Sequence, residues 1–350
     1  MLKVYSMTQG DEWDSIVKSF QQFDIYYLSG YVKAFELHGD GEPLLLYYNS
    51  DTLRGINVVM KRDIADDKHF AGKIRKGEYL DIATPYGYGG WYFEGNQTGA
   101  DAESFKDEYS AWCVENKVVS EFVRFHPILE NASGINNDLY DMSFLGNTVA
   151  IELDSEEKIW ARFSSKNRGH IRVAIKEGVT VRIETSKEAF DGFRDIYETT
   201  MEHDDASSYY YFDKSFFDSI RNDLDGYYTL FTAYLGDRAI ASSIMLYAGK
   251  YMNYHLSGQL FDYRRYAGTN MILYEAAKWG REHGYDWIHL GGGLGAQEGP
   301  LYDFKKSFYK KGDDKLFYVG RKILHPQLYD ELVKMRGELP DSNFFPRYRA

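Results

Sequence analysis

Short apolar runs broken by polar turns alternate along this chain with longer stretches whose apolar residues recur every three or four positions. The first kind reads as strand and the second as helix. Apolar runs at 44–48 and 230–235 are each followed by a polar turn and a second apolar run, which predicts a hairpin in each place. Further strands are expected at 151–153, 250–257, 287–290 and 316–319, and helices at 102–116, 156–163, 190–203, 216–223 and 268–283. In the last helix Ile272, Ala276 and Trp279 fall on one face, Lys278 and Arg281 face away, and Gly284 stands where a C′ glycine ends a helix. Asp154 or Ser155 is the N-cap of the helix at 156–163, with Glu157 at capping-box spacing from Asp154.

Strands that alternate with single helices predict an α/β fold built on a mixed sheet. The stretch from Tyr48 to Met60 aligns without gaps with the stretch from Tyr234 to Leu246. This is either a pair of ordinary hairpins or the trace of two related α/β domains in tandem. A boundary near residue 150 follows. It gives a first domain at 1–150, completed by 322–350, and a second at 151–321.

Composition narrows the class. The 350 residues carry a net charge of −12, which argues against a general nucleic-acid or DNA binder. Aromatic content is 17%, with 31 Tyr, a residue suited to clefts that are part apolar and part wet. The single cysteine, Cys113, has no internal disulfide partner and falls within a predicted helix. No apolar run reaches membrane-spanning length and the N-terminus lacks a signal-like apolar segment, so a cytoplasmic protein is expected.

Candidate chemistry concentrates in the second half. The turn Arg265, Tyr266, Ala267, Gly268, Thr269, Asn270 precedes a helix, where free backbone N–H groups favour an anionic ligand. The run 162–182 holds Arg162, Lys166, Arg168, His170, Arg172, Lys176 and Arg182 against one acid, Glu177. It is either a solvated helix face or a landing site for phosphates. Tyr254 and His255 lie on a predicted strand, and His203 follows a helix beside Asp204. In the first half, Tyr86-Gly-Tyr88-Gly-Gly90 is too patterned for an ordinary turn, its tyrosines either stacking on a sugar or base or capping the sheet, and Arg124 and His126 sit at the end of a predicted strand. No Cys/His spacing suits zinc, no metal site is expected, and Gly291–Gly293 lacks the lysine and hydroxyl residue of a phosphate-binding P-loop.

These residues carry a resemblance. The order strand, Arg-x-x-Gly turn, helix, Gly284, strand resembles the acyl-coenzyme A motif of GNAT N-acyltransferases. Over nearly its whole length the chain resembles the FemABX-like aminoacyltransferases of peptidoglycan bridge formation. The matching segments include Asp24 to Tyr31, Phe122 to Pro127, Ser164-Ser-Lys-Asn-Arg168, Tyr254 to Gly258, Leu290 to Gly293 and Phe304-Lys-Lys-Ser-Phe308. The resemblance implies two tandem GNAT-like domains. It also implies transfer of an aminoacyl group from aminoacyl-tRNA to an amine of a cell-wall or nucleotide-linked precursor, with no tightly bound cofactor. By the same resemblance Lys305 is the oxyanion-stabilising residue and Phe304 shapes the acyl channel; Lys306 is the adjacent alternative, since two lysines on a strand point to opposite faces. Lys33 and Arg168 occupy the regions that hold substrate phosphates, and Lys166 lies beside Arg168. Asn270 stands where a coenzyme A cradle prefers Gly or Ala, which favours charged tRNA as partner over acetyl-coenzyme A. The alternatives are an acetyl-coenzyme A-dependent N-acetyltransferase acting on a cell-envelope sugar or amine, and a precursor-binding protein without turnover.

Overall fold

The computed structural model describes residues 1–134, 139–338 and 344–350. The chain divides into two compact units, one formed by 1–21, 26–145 and 317–350, the other by 22–25 and 146–316. Of the tail at 322–350, residues 339–343 lie outside the described residues. In chain order the first unit begins with β1 (Leu2–Ser6), α1 (Gly10–Lys18), α2 (Ser29–His38), β2 (Glu42–Asn49) and β3 (Leu53–Asp63). It continues with β4 (Leu80–Ala83), β5 (Tyr92–Gly95), α3 (Ala100–Glu115) and β6 (Val118–Arg124). The strand β7 (Asp141–Glu152) leads into the second unit, followed by α4 (Glu156–Arg162), α5 (Ser165–Lys176), β8 (Val179–Glu184), α6 (Lys187–His203) and α7 (Lys214–Asp223). Then come β9 (Tyr228–Leu235), β10 (Arg238–Ala248), β11 (Tyr251–Gln259), α8 (Gly268–Glu282), β12 (Trp287–Gly291) and α9 (Pro300–Lys306). The strand β13 (Lys315–Ile323) and α10 (Pro326–Arg336) return the chain to the first unit.

Both units share a plan. In the first, β2, β3 and β4 pair antiparallel, α3 crosses over, and β6 pairs parallel with β4. In the second, β9, β10 and β11 pair antiparallel, α8 crosses over, and β12 pairs parallel with β11. Each is thus a mixed sheet with one helical crossover, as the alternation of periods predicts. The two aligned hairpins do not share a register. Tyr48 faces Gly55, whereas Tyr234 faces Ala239, because the second hairpin turns more tightly and carries a bulge after Ala239.

Local expectations hold where the signal is short-range. On α8, Ile272 and Ala276 are fully buried and Trp279 is half-buried, and Gly284 adopts φ +80 just past the helix. The cap of α4 is Ser155, whose Oγ accepts from the Lys158 amide at 3.3 Å. Asp154 is drawn off to Arg162 instead. Cys113 is buried in the first core, where burial pushes its thiol up to about 12 and removes it from thiolate chemistry. Among the described residues no helix is long and apolar enough to cross a membrane.

The first core surrounds a carboxyl group. Glu121 is fully buried, accepts from the hydroxyls of Tyr109 at 2.7 Å and Tyr140 at 2.9 Å, and stands opposite Lys322 in the β6–β13 ladder. Burial raises its pKa, only partly offset by those hydroxyls and by Lys322. A raised native pKa contributes stability as the acid, below the usual carboxylate range, and that contribution is lost as the pH rises through the raised value. Glu121→Gln should therefore gain about 1 kcal/mol at neutral pH and flatten this pH dependence. Urea titrations at pH 5 and 8 check it; a loss of stability at both would show that the carboxylate form is the one the core needs.

Candidate functional site

In the second unit two parallel strands part. β11 and β12 pair at Tyr251 with Trp287, Met252 with Ile288 and Asn253 with His289, and the ladder ends there. Beyond it each strand is kinked. Leu256 and Tyr254 pair with consecutive residues of β10, so His255 is the extra residue of a bulge, and β12 is irregular between His289 and Gly291 against β7. Bulges re-aim side chains and end pairing. Here they leave a slot in the hydrogen-bond ladder, with Tyr254 and His255 on one strand and the glycine loop after Leu290 following the other.

α9 brings the lysine to that slot. Lys305 and Lys306 lie on a helix that starts at Pro300, not on the strand expected from the sequence. The rule that strand neighbours point to opposite faces therefore does not apply. Successive helical side chains still diverge, being about a quarter turn apart. Lys305 Nζ donates to the Gly292 carbonyl at 2.7 Å, while Lys306 Nζ donates to Gly312 O at 2.8 Å and pairs with Asp314 at 2.7 Å. Burial lowers the Lys305 pKa to about 8, so most of its ammonium survives at neutral pH. The loop is close-packed beneath it, since a Cβ on Gly293 would lie 2.0 Å from the Gln297 carbonyl oxygen. Phe304 is half-buried with its ring 5.4 Å from that of Phe308. Burial raises the Tyr254 hydroxyl and drives the His255 imidazole down to about 3, which leaves both neutral at physiological pH.

Beside α9 opens a cleft of about 620 Å³. Lys166, Asn167 and His170 of α5 line it together with Asn270 of α8, Asp303, Phe304, Lys306 and Ser307 from α9 and its end, and Lys310 beyond. Of the basic island read from the sequence, Lys166 and His170 reach this cleft, and the arginines are engaged elsewhere. Arg162 pairs with Asp154 at 2.8 Å and Glu152 at 2.7 Å, Arg172 lies over Trp160, and Arg182 lies over Tyr234. Arg168 donates to the carbonyls of Trp160 at 3.3 Å, Ala161 at 3.4 Å and Phe163, so it caps the end of α4. With Lys306 paired to Asp314, Lys166 and Lys310 against Asp303 leave the cleft cationic in an acidic chain.

The turn before α8 is less open than its sequence implies. Ala267 takes a left-handed conformation, φ +53, and Gly268 is buried, where a Cβ would lie 3.2 Å from that of Ala241. Thr269 Oγ1 donates inward to Gln259 Oε1 at 2.5 Å, and exposed Arg265 donates to the Tyr266 hydroxyl at 2.7 Å. Asn270 is the turn residue that lines the cleft. His203 stands at the far end of α6, exposed, with Nδ1 2.8 Å from Asp204 and its ring stacked on Phe261.

The remaining sequence-predicted residues belong to the first unit, where the equivalent strands stay zipped. β4 and β6 pair from Leu80 with Val118 to Ala83 with Phe122. The Thr84 amide then donates to Phe122 O at 3.0 Å and the Gly89 amide to Arg124 O at 2.8 Å. The Tyr86–Gly90 loop thus fills the position where the second unit opens a slot. Tyr31 donates to Tyr86 O, Tyr27 to Gly90 O and Asn131 to Gly89 O, each at 2.8 Å. Tyr86 stacks on Phe35, and Tyr88 packs among Tyr26, His126 and Phe317. Gly87 has φ +89 and a Cβ there would lie 2.4 Å from the Tyr26 ring, so the alternation of Gly and Tyr is explained by packing. His126 Nδ1 accepts from the amides of Ile128 and Leu129, both at 3.2 Å. Arg124 lies over Phe122, and Lys33 is half-buried on α2.

Sequence reasoning passed over Asn167, Ser307 and Lys310 as site residues. The signal was present in part, because Asp303, Ser307 and Lys310 recur at three- to four-residue spacing, which marks one helical face once 300–306 is read as helix. Among the described residues no group of three or more His, Cys, Asp or Glu is placed to hold a metal ion.

Residues 161–306, which hold the parted parallel strand pair, the helix that follows it and the half-buried Lys305 at the opening, match the model of the acetyltransferase (GNAT) domain. Over nearly its full length the chain has the fold of FemX, with a TM-score of 0.68 at 15% identity over 94% of this chain and 99% of the other. The C-terminal domain of an Agrobacterium fabrum protein assigned as a lysylphosphatidylglycerol synthetase is also similar, with a TM-score of 0.55 at 14% identity, covering 95% of this chain and 98% of that one. So is a conserved Bacteroides thetaiotaomicron protein of unknown function, with a TM-score of 0.57 at 11% identity, covering 92% and 99%. Among curated proteins none matches the sequence.

Proposed function

We propose that this acyltransferase moves an aminoacyl group from aminoacyl-tRNA to an amine of a cell-wall peptide or nucleotide-linked precursor. The observation that carries this reading is the placement of the Lys305 ammonium at the opening of the parted strands, on the helix that also walls a cationic cleft. The acceptor amine attacks the donor ester carbonyl, a C–N bond forms, and the carbonyl oxygen becomes an oxyanion beside the Lys305 ammonium. The C–O bond to the terminal ribose then breaks, and the proton released by the amine passes to the departing hydroxyl, directly or through water. Lys166 and Lys310 supply charge for the donor's phosphates, His170 lies beside them, and Phe304 walls the cleft. Neutral His255 and Tyr254 border the slot as hydrogen-bonding groups rather than as charges.

The same slot also suits the arm of acetyl-coenzyme A, and the GNAT domain match supports that second reading. A transfer assay with charged tRNA and a nucleotide-linked peptide acceptor, run beside calorimetry with acetyl-coenzyme A, separates the two. Transfer from tRNA with no coenzyme binding is expected; micromolar acetyl-coenzyme A binding without transfer from tRNA would replace the first reading with the second.

A further inference from the structure

We infer that the carboxamide pair Asn167 and Asn270 is a donor filter that closes the start of α8 to the diphosphate of an acyl-coenzyme A. This deepens the proposed function and rests on its choice of donor. A diphosphate bound at a helix start must approach the first-turn backbone amides closely, and a bare backbone serves that best. Here the first turn is covered. Gly268 is turned into the sheet, and Thr269 is buried with its hydroxyl on Gln259. What this turn presents to the cleft is Asn270.

The Asn270 side chain is pinned, not loose. Its Nδ2 donates to Asn167 Oδ1 at 2.9 Å, and Asn167 Nδ2 donates in turn to the Ser307 carbonyl at 3.4 Å. Asn167 is 1% exposed, and its backbone N–H is held by the Ser164 N-cap at 3.1 Å. The chain of amides therefore ties the start of α8 to α5 and to the end of α9, across the 620 Å³ cleft that all three elements line. A diphosphate would have to break the Asn270 contact and leave the buried Asn167 carbonyl without its donor, which costs free energy. A donor whose phosphates bind further out, at Lys166, His170 and Lys310, leaves the pair intact.

Removal of the side chain should admit the coenzyme. Calorimetry with acetyl-coenzyme A is expected to show at least about ten-fold tighter binding to Asn270→Gly and Asn270→Ala than to the unaltered chain. Asn167→Ala is expected to shift binding in the same direction, because it frees Asn270 to swing away. Thermal melts establish that each variant is folded; Asn270→Gly is the least demanding, since it leaves Asn167 and its Ser307 contact in place. Folded Asn270 variants that bind no better than the unaltered chain would overturn the filter, whatever donor is used. Micromolar binding to the unaltered chain would overturn the filter, and together with no transfer from charged tRNA it would overturn the tRNA reading as well. If the unaltered chain neither binds the coenzyme nor transfers from charged tRNA, while Asn270→Gly binds it, the filter stands and the tRNA reading falls.

Discussion

Replacing Lys305 with alanine is expected to slow transfer by about 10²–10³-fold while donor binding is kept. The ammonium sits half-buried at the opening of the parted strands, where a donor to a developing oxyanion is worth more than in water. Its pKa of about 8 sets the pH dependence: the rate should fall as the pH rises through that value, because the neutral amine no longer balances the oxyanion. Lys305→Arg keeps the charge at all accessible pH but replaces a compact ammonium with a planar fork. It should move the alkaline limb up while recovering only part of the rate. Unchanged turnover in Lys305→Ala would remove the residue from the reaction.

The same burial predicts a cost in stability. A lysine whose native pKa lies below its unfolded value disfavours the charged form, so the cost applies below pH 8 and disappears above the unfolded value. Lys305→Met should therefore raise the melting temperature at pH 7 by about 2–4 °C, as expected where a functional charge is held against the interior. The gain should shrink as melts are repeated from pH 8 towards pH 10.

Loss of Arg349 is the largest stability effect expected, about 3–5 kcal/mol for Arg349→Ala. Asp81 is fully buried in the first unit and accepts from Arg62 Nε at 2.6 Å, Arg349 Nε at 2.6 Å and the Tyr348 hydroxyl at 2.9 Å. Burial alone would raise its pKa, but Arg62 and Arg349 outweigh it and hold the carboxylate below its ordinary range. Arg349 also donates to the Asp63 carbonyl at 3.2 Å and pairs with Asp67 at 3.4 Å, so one residue fastens the C-terminal segment to the sheet. Removing it leaves a buried carboxylate with a single cation. The contribution of Asp81 is present above its unfolded pKa and is lost as the pH falls through the native one, opposite in sign to that of Glu121. Urea unfolding of Arg349→Ala, Asp81→Asn and the double variant measures the coupling. Additive losses would show that Arg349 acts elsewhere.

Tyr86 to Gly90 and Arg168 show where reading from sequence ends. Both segments were patterned enough to attract a functional assignment, and both have packing duties. The glycines of the loop meet Tyr26, Thr84 and Val123, and the arginine caps a helix whose end lies a few residues upstream. Neither partner set is visible as a pattern, since the cap depends on how the chain turns between α4 and α5 and the close approach on how distant segments meet. The aligned hairpins make the same point, with a shared strand plan but different registers.

Sequence alone determined the order of strands and helices, the crossover plan, the C′ glycine after α8 and the segment that carries Lys305, because periodicity and local turn chemistry act over a few residues. Tertiary structure decided which of several cations is available. Arg162, Arg168 and Lys306 are taken up by neighbouring groups, and Lys166, His170 and Lys310 line the cleft. It also decided that β11 and β12 part while β4 and β6 do not, since that turns on bulges and on how the loop after β4 packs back into the gap. Charge and hydrogen bonding are spent on whichever group folding brings within about 3 Å, and sequence spacing does not record that distance.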